Sequence, residues 1–181
     1  IELGGRDIAI NSRYLSRNGI PFIPIAGEYH FSRDRHENWR GELLKMKQGG
    51  ITMVSTYLFW IYHEETEGEF NFSGDFDIKE FILAAADAGL EVILRIGPWA
   101  HGECRNGGFP DWLLKKSCTP RTNNPAYLKY VRKWYSRIYE EVKGVLDSVP
   151  VIQLENELTD NAEHLLELRR IAEDVGLRVP I

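Results

Sequence analysis

Apolar positions along this chain recur in blocks that switch between two periods. Trp39, Leu43 and Met46 fall at i, i+4 and i+7, one face of a helix, and Gly49-Gly50 supplies its stop. Ile51 to Phe59 is rich in β-forming residues and reads as a strand. Ile78, Phe81, Ile82 and Ala85 mark a second helical face ended by Gly89, and Val92-Ile93-Leu94 follows as a strand. Val131, Trp134, Tyr135, Ile138 and Val142 mark a longer helix, and Val149 to Leu154 another strand. Leu165, Leu168, Ala172 and Val175 mark a fourth helix ended by Gly176, after which Val179-Pro180-Ile181 reads as the start of a fifth strand. Ahead of all this, Ile23-Pro24-Ile25-Ala26 reads as the first strand, ending at Gly27-Glu28-Tyr29-His30. Arg6 to Phe22 contains Asn18-Gly19, a type I′ turn signal. Residues 1–22 are therefore expected to form a short β-hairpin lead-in, and residues 23–181 strands 1–4 with their helices.

Four strand–helix repeats imply a parallel sheet with right-handed crossovers. Two α/β architectures satisfy that pattern: an open doubly wound sheet and a TIM (β/α)₈ barrel. No glycine-rich phosphate loop follows the first strand, which disfavours the nucleotide-binding version of the open sheet. The strand ends are rich in aromatic and acidic residues instead, so the barrel is the expected fold. A barrel takes ~250 residues. The 181-residue chain is thus read as the N-terminal portion of a larger catalytic domain, whose remainder would be its partner.

The pattern breaks most sharply at Glu155-Asn156-Glu157, which closes the apolar run Val149 to Leu154. Ionised carboxylates are costly to bury unless paired. At the C-terminal end of a barrel strand such residues line active sites. The chemistry suggested is acid catalysis by a carboxyl group on a sugar. Gln153, Glu155 and Glu157 share strand parity, so Asn156 and Glu157 reach one pocket only if the alternation breaks at the strand end. Glu155 would then lie below the site and pair with a buried base. Arg95, alone in an apolar strand, is the expected partner.

Composition narrows the function classes. The chain is 43% hydrophobic and 12% aromatic, enough for one domain with a sizeable core. Its formal net charge of −5 carries no electrostatic footprint for nucleic acid. No apolar run approaches the ~20 residues of a membrane span. Ile1 opens neither a signal peptide nor a Met-initiated chain, so a periplasmic or extracellular setting stays open. Cys104 and Cys118 match no metal pattern, and a bonded or a free state is open to them. His30, His63 and His101 have no compact ligand spacing and read as hydrogen-bonding histidines; no metal or cofactor is expected. Arg33-Asp34-Arg35 and Arg169-Arg170 read as solvated helix faces. The long non-periodic stretch from Gly97 to Asn124 holds Trp99, His101, Glu103, Phe109 and Trp112, too aromatic for disorder. Glu103, among glycines, suits a hydroxyl-binding role. Tyr57 and Trp60 at a strand end suit either core packing or a sugar platform.

Several of these pieces occur in a distinctive order: Gly27-Glu28-Tyr29-His30-Phe31-Ser32-Arg33, Thr56-Tyr57-Leu58-Phe59-Trp60, His63-Glu64, Ile93-Leu94-Arg95-Ile96-Gly97-Pro98, Glu103, Asn106-Gly107-Gly108-Phe109-Pro110 and Gln153-Leu154-Glu155-Asn156-Glu157. From about Phe22 onward the chain resembles glycoside hydrolase family 35, retaining β-galactosidases with a (β/α)₈ catalytic domain. The resemblance implies that Glu157 is the general acid/base. It implies that Tyr57, Glu103 and Asn156 bind a terminal β-linked galactose of a carbohydrate substrate. The family's nucleophile, a glutamate after the seventh strand, lies beyond this chain. Ile61, Trp99 and Leu158-Thr159 depart from the usual residues, which leaves the sugar open. A hydrolase of another β-linked sugar, such as an exo-β-glucosaminidase, and a catalytically silent carbohydrate-binding relative remain the alternatives.

Overall fold

The computed structural model describes residues 8–181. The first seven positions of the expected lead-in lie outside the described residues. The lead-in is a three-stranded antiparallel meander, β1 (Ile8–Ile10), β2 (Leu15–Arg17) and β3 (Ile20–Phe22). Asn18 and Gly19 both take positive φ, 50° and 77°, as a type I′ turn between β2 and β3 requires.

Four parallel strands follow: β4 (Ala26–Glu28), β5 (Met53–Tyr57), β6 (Glu91–Gly97) and β7 (Val151–Leu154). Their spatial order is β4-β5-β6-β7, each strand beside its successor. A doubly wound sheet reverses direction at a switch point. Unbroken sequential order is that of a (β/α)₈ barrel, so topology decides between the two architectures.

Among the described residues, four helices lie where the apolar spacing puts them, and two single turns stand in the loops. They are α1 (His36–Gln48), the single turn α2 (Trp60–His63), α3 (Ile78–Asp87), the single turn α4 (Asp111–Leu114), α5 (Pro125–Val142) and α6 (Ala162–Val175). Local chemistry sets their ends. Asp77 caps α3 by accepting from Glu80 N–H, and Asn124 caps α5 by accepting from Ala126 and Tyr127 N–H, with Pro125 at the first helical position. Asn161 caps α6, and Gly176, at φ 112°, ends it in the left-handed conformation that glycine tolerates.

The core lies between helices and sheet. Val92, Leu94 and Ile96 of β6 are fully buried on the helix side, against Ile82, Val131, Trp134, Tyr135 and Ile138. Trp60 and Trp134 stack with planes 4° apart and centroids 5.5 Å apart; Trp134 Nε1 donates to Ile96 O. The other face of β6 and β7, with Ile93, Arg95, Val151 and Gln153, is only partly covered. It borders an apolar cleft with Leu165, Leu166 and Ile181.

Two expectations are corrected, at the first strand and at the chain's last residues. The first strand begins at Ala26 and not at Ile23: Pro24 has no N–H for the ladder, and Ile23 and Ile25 are 87% and 53% exposed. The stretch from Gly97 to Asn124, non-periodic in sequence, holds a 3₁₀ turn at Arg105–Gly108 besides α4. Val179 to Ile181 is not a strand, although Pro180 O accepts from Ile152 N–H at 2.8 Å, as a fifth neighbour of β7 would.

Candidate active site

The C-terminal ends of β4 to β7 and the loops beyond them carry nearly all the polar chemistry of the sheet. Glu28 ends β4, Tyr57 ends β5, Arg95 precedes the end of β6, and Glu155-Asn156-Glu157 follows β7. Strand alternation does break there. Arg95 pairs with Gln153 and Gly97 with Leu154, so one residue of β6 is unmatched, and Glu155 N–H donates to Gly97 O at 2.7 Å. Glu155 and Glu157 both adopt positive φ, 56° and 50°. His101, Glu103, Asn106 and Arg121 do the same, all in loops at this end. Non-glycine residues reach this region at a cost of roughly 1–2 kcal/mol each, so neighbouring contacts must hold them there.

Arg95 is the hub of those contacts. Its Nη1 lies 2.6 Å from Glu28 Oε1, its Nη2 donates to Asn156 Oδ1 at 2.8 Å, and its guanidinium carbon sits 3.7 Å above the centre of the Tyr57 ring. Tyr57 is 3% exposed and stacks with His30, the ring centres 5.6 Å apart. Burial pushes the Tyr57 hydroxyl up to about 12, Arg95 opposes the shift, and the charges of Glu28, Glu157 and Glu103 add to it. Three carboxylates thus act on one phenol. His101 completes the corner: its Nδ1 is 3.1 Å from Asn156 Nδ2 and 3.6 Å from Glu157 Oε2. The Glu157 side chain is 77% exposed and faces solvent.

The expected Arg95–Glu155 pair does not form. Glu155, 1% exposed, pairs with Arg121: Arg121 Nε meets Glu155 Oε2 at 2.9 Å, and Arg121 Nη2 donates to the Asn156 carbonyl at 2.8 Å. The Arg121 guanidinium lies over the Trp99 ring, 4.9 Å from its centre. Burial raises the Glu155 pKa, and Arg121 pulls against that shift. The physical reason is the left-handed turn at Glu155, which swings its carboxylate away from the Arg95 face toward the long loop. That a buried acid needs a base was legible in the sequence; which arginine served it was not.

Tyr57, Asn156 and Glu157 share the Arg95–His101 corner, and Glu103 is close enough to act on Tyr57 and His30. Trp60 stands apart. It is 1% exposed, stacked on Trp134, and its Nε1 donates to Glu64 Oε2 at 2.6 Å, so core packing is its role. Arg33-Asp34-Arg35 is no simple solvated face: Arg33 covers the Phe59 ring and donates to Gly102 O, and Asp34 accepts from Tyr29 Oη. Arg169 and Arg170 do lie on a solvated helix face, paired with Glu173, Glu167 and Asp174. Cys104 and Cys118 are free thiols. His63 is a core histidine. Its Nδ1 is 2.9 Å from Asn71 O, Phe72 stacks on it at 4.5 Å, and burial lowers its pKa to about 4. Among the described residues no helix is long and apolar enough to cross a membrane.

A sequential parallel sheet bearing carboxylates, an amide and aromatics at its strand ends is the pattern of a (β/α)₈ enzyme, whose active site lies at the C-terminal ends of the strands. The profile of glycosyl hydrolases family 35 matches residues 14–176, and the chain belongs to that family. A β-galactosidase of Bos taurus is 42% identical over 151 residues, covering 81% of this chain and 23% of that protein. The Homo sapiens β-galactosidase is 41% identical over 146 residues, covering 78% of this chain and 22% of the relative. The chain therefore spans about a quarter of the length of the curated relatives it matches. Solved structures agree on the fold. An exo-β-1,4-mannosidase from Opitutaceae bacterium strain TAV5 superposes with a TM-score of 0.68 at 18% identity, over 87% of this chain and 30% of that one. The β-galactosidase of the psychrophilic Marinomonas ef1 does so with a TM-score of 0.57 at 21% identity, over 78% and 22%.

Proposed function

We propose that residues 1–181 are the N-terminal portion of a (β/α)₈ catalytic domain that removes terminal β-linked galactose from oligo- or polysaccharides by a retaining, two-carboxylate mechanism. Glu157 is the general acid/base, and Tyr57, Glu103 and Asn156 bind the sugar. The observation that carries this reading is the Arg95-centred corner, where Asn156 is held by an arginine on one side and a histidine on the other, with Glu157 next to it. Asn156 has two amide hydrogens. One meets His101, which leaves the second for a sugar hydroxyl. A retaining mechanism needs two carboxyl groups about 5 Å apart, one donating a proton to the leaving oxygen and one forming the glycosyl-enzyme. The second belongs to the remainder of the domain, for which the half-covered face and apolar cleft beside β7 offer a docking surface. This piece alone is expected to be inactive.

The test is Glu157→Gln in the complete protein. Proton donation matters most for poor leaving groups. The variant should therefore lose hydrolysis of alkyl or sugar β-galactosides by roughly 10²–10⁴-fold, and far less on aryl substrates with acidic phenols. Azide should restore turnover of the activated substrates, since a small anion attacks the glycosyl-enzyme without a general base. Equal losses on both substrate types without azide rescue would remove Glu157 from the role.

A further inference from the structure

Hydrogen-bond polarity around Asn156 is dictated from one end. The Arg95 guanidinium only donates, and it donates to Asn156 Oδ1 at 2.8 Å. Gln153 Nε2 faces the same oxygen at 3.5 Å. The amide is thereby oriented, with its oxygen toward Arg95 and its nitrogen toward His101. An amide NH₂ has no acceptor capacity. His101 Nδ1, 3.1 Å from that nitrogen, must therefore accept, which makes the ring neutral with its proton on Nε2. The same Nδ1 lies 3.6 Å from Glu157 Oε2. One ring nitrogen thus faces two neighbours of opposite demand: an N–H that needs its lone pair and a carboxylate that would welcome a proton.

We propose that His101 is a positioning residue that gates proton donation: the neutral ring holds Asn156, and the protonated ring turns to Glu157 and releases Asn156. The proposal rests on the assignment of Glu157 as acid/base. A proton on Nδ1 sets donor against donor at Asn156 and places a charge-assisted bond on Glu157. That bond favours the ionised carboxylate, the opposite of what a general acid requires. Both effects act in the same sense, so protonation of His101 turns donation off. The His101 side chain is 44% exposed and within reach of solvent protons.

The groups around this corner come from every element packed there. Glu103 shares the loop of His101, and the Trp99 ring meets the imidazole edge-on at 4.9 Å. Arg33, in the turn after β4, donates to Gly102 O; Arg121 covers Trp99; Arg95 and Glu28 lie behind Asn156. The arginines are donors only and cannot take the acceptor role of His101. His30, stacked on Tyr57 and near Glu28, is the other histidine of the corner, and burial lowers its pKa.

The experiment compares the pH profile of kcat/KM on an alkyl β-galactoside for the complete wild-type protein, His101→Gln and His30→Gln. Glutamine keeps an acceptor for Asn156 but cannot titrate. His101→Gln should carry activity to lower pH, moving the acid limb down, while His30→Gln leaves the limb in place. An unmoved limb in His101→Gln, or the same shift in both variants, overturns the proposal. A measurement on the wild type stands apart from any folding defect: nitrogen NMR of histidine-labelled protein at neutral pH should show His101 as the Nε2–H tautomer, and the Nδ1–H tautomer refutes the gate. Glu157→Gln separates the two ideas. If it shows leaving-group dependence and azide rescue while His101→Gln leaves the limb in place, the gate falls and the catalytic assignment stands. If it shows neither, the assignment itself has failed.

Discussion

The aromatic stack behind the sheet and the polar rim at its C-terminal end use the same strands under opposite rules. Behind the sheet, Trp60, Trp134, Phe72 and His63 lie ring on ring, and one face of β6 meets them with Val92, Leu94 and Ile96. Ring packing dominates there, and the few hydrogen bonds, such as Trp134 Nε1 to Ile96 O and His63 Nδ1 with Asn71 O, tie ring edges to nearby groups. At the rim, six non-glycine residues hold positive φ, and Arg95 and Arg121 each contact several partners at fixed angles. The stack stabilises by area removed from water; the rim holds side chains in strained positions by directed bonds. A fold can tolerate the second because the first supplies the stability.

The contrast can be broken by three measurements besides those above. The largest effect is expected from Trp134→Ala. It removes a fully buried ring and leaves a cavity and an unpaired Ile96 carbonyl, a loss of about 3–5 kcal/mol in urea denaturation of the complete protein. Per folded molecule, the pH profile should keep its shape. A reshaped profile would mean that core and rim are coupled.

Next comes a pH effect that belongs to the core alone. His63 is neutral in the folded state down to about pH 4, whereas the unfolded ring takes its proton near 6.5. Between those values the unfolded chain binds the extra proton, so stability falls as pH falls. The loss is about 3 kcal/mol by pH 4, the shift being converted at about 1.4 kcal/mol per unit. His63→Phe should flatten this slope across that window. An unchanged slope would place the acid sensitivity elsewhere.

Arg121→Met should give the smallest stability change of the three, about 2–3 kcal/mol. It leaves the Glu155 carboxylate buried and unpaired, but Arg121 is itself 24% exposed, so water relieves part of the penalty. Unlike Trp134→Ala, it should also lower kcat, since Arg121 holds the Asn156 carbonyl. A loss of stability with kcat unchanged would show that the Arg121–Glu155 pair is structural only.

Much of the architecture was legible because it depends on local and periodic signals. The helical faces of α1, α3, α5 and α6, the stops at Gly49-Gly50, Gly89 and Gly176, and the Asn18-Gly19 turn all follow from spacing and from φ preferences that each residue carries with it. The break after Leu154 was legible for the same reason, as charge at the end of an apolar run. At residues 23–25 a run of Ile and Pro satisfies a hydrophobicity pattern that the proline's missing N–H denies to the ladder, so the strand begins at Ala26.

Partner choice among charged groups is what the linear chain withheld. Arg95 sits in an apolar strand and Glu155 ends another, and their pairing was a reasonable expectation of neighbouring strands. The unmatched residue in β6 and the left-handed turn at Glu155 redirect the carboxylate to Arg121, thirty-four positions back in the chain. Arg95 is left to Glu28, Tyr57 and Asn156, and His101 to Asn156 and Glu157. Periodicity determined which residues stand at the ends of the strands, because burial depends on spacing alone. Only the tertiary structure decided which of them touch, because a hydrogen bond depends on direction, and direction at this rim is set by a few backbone angles that no single residue dictates.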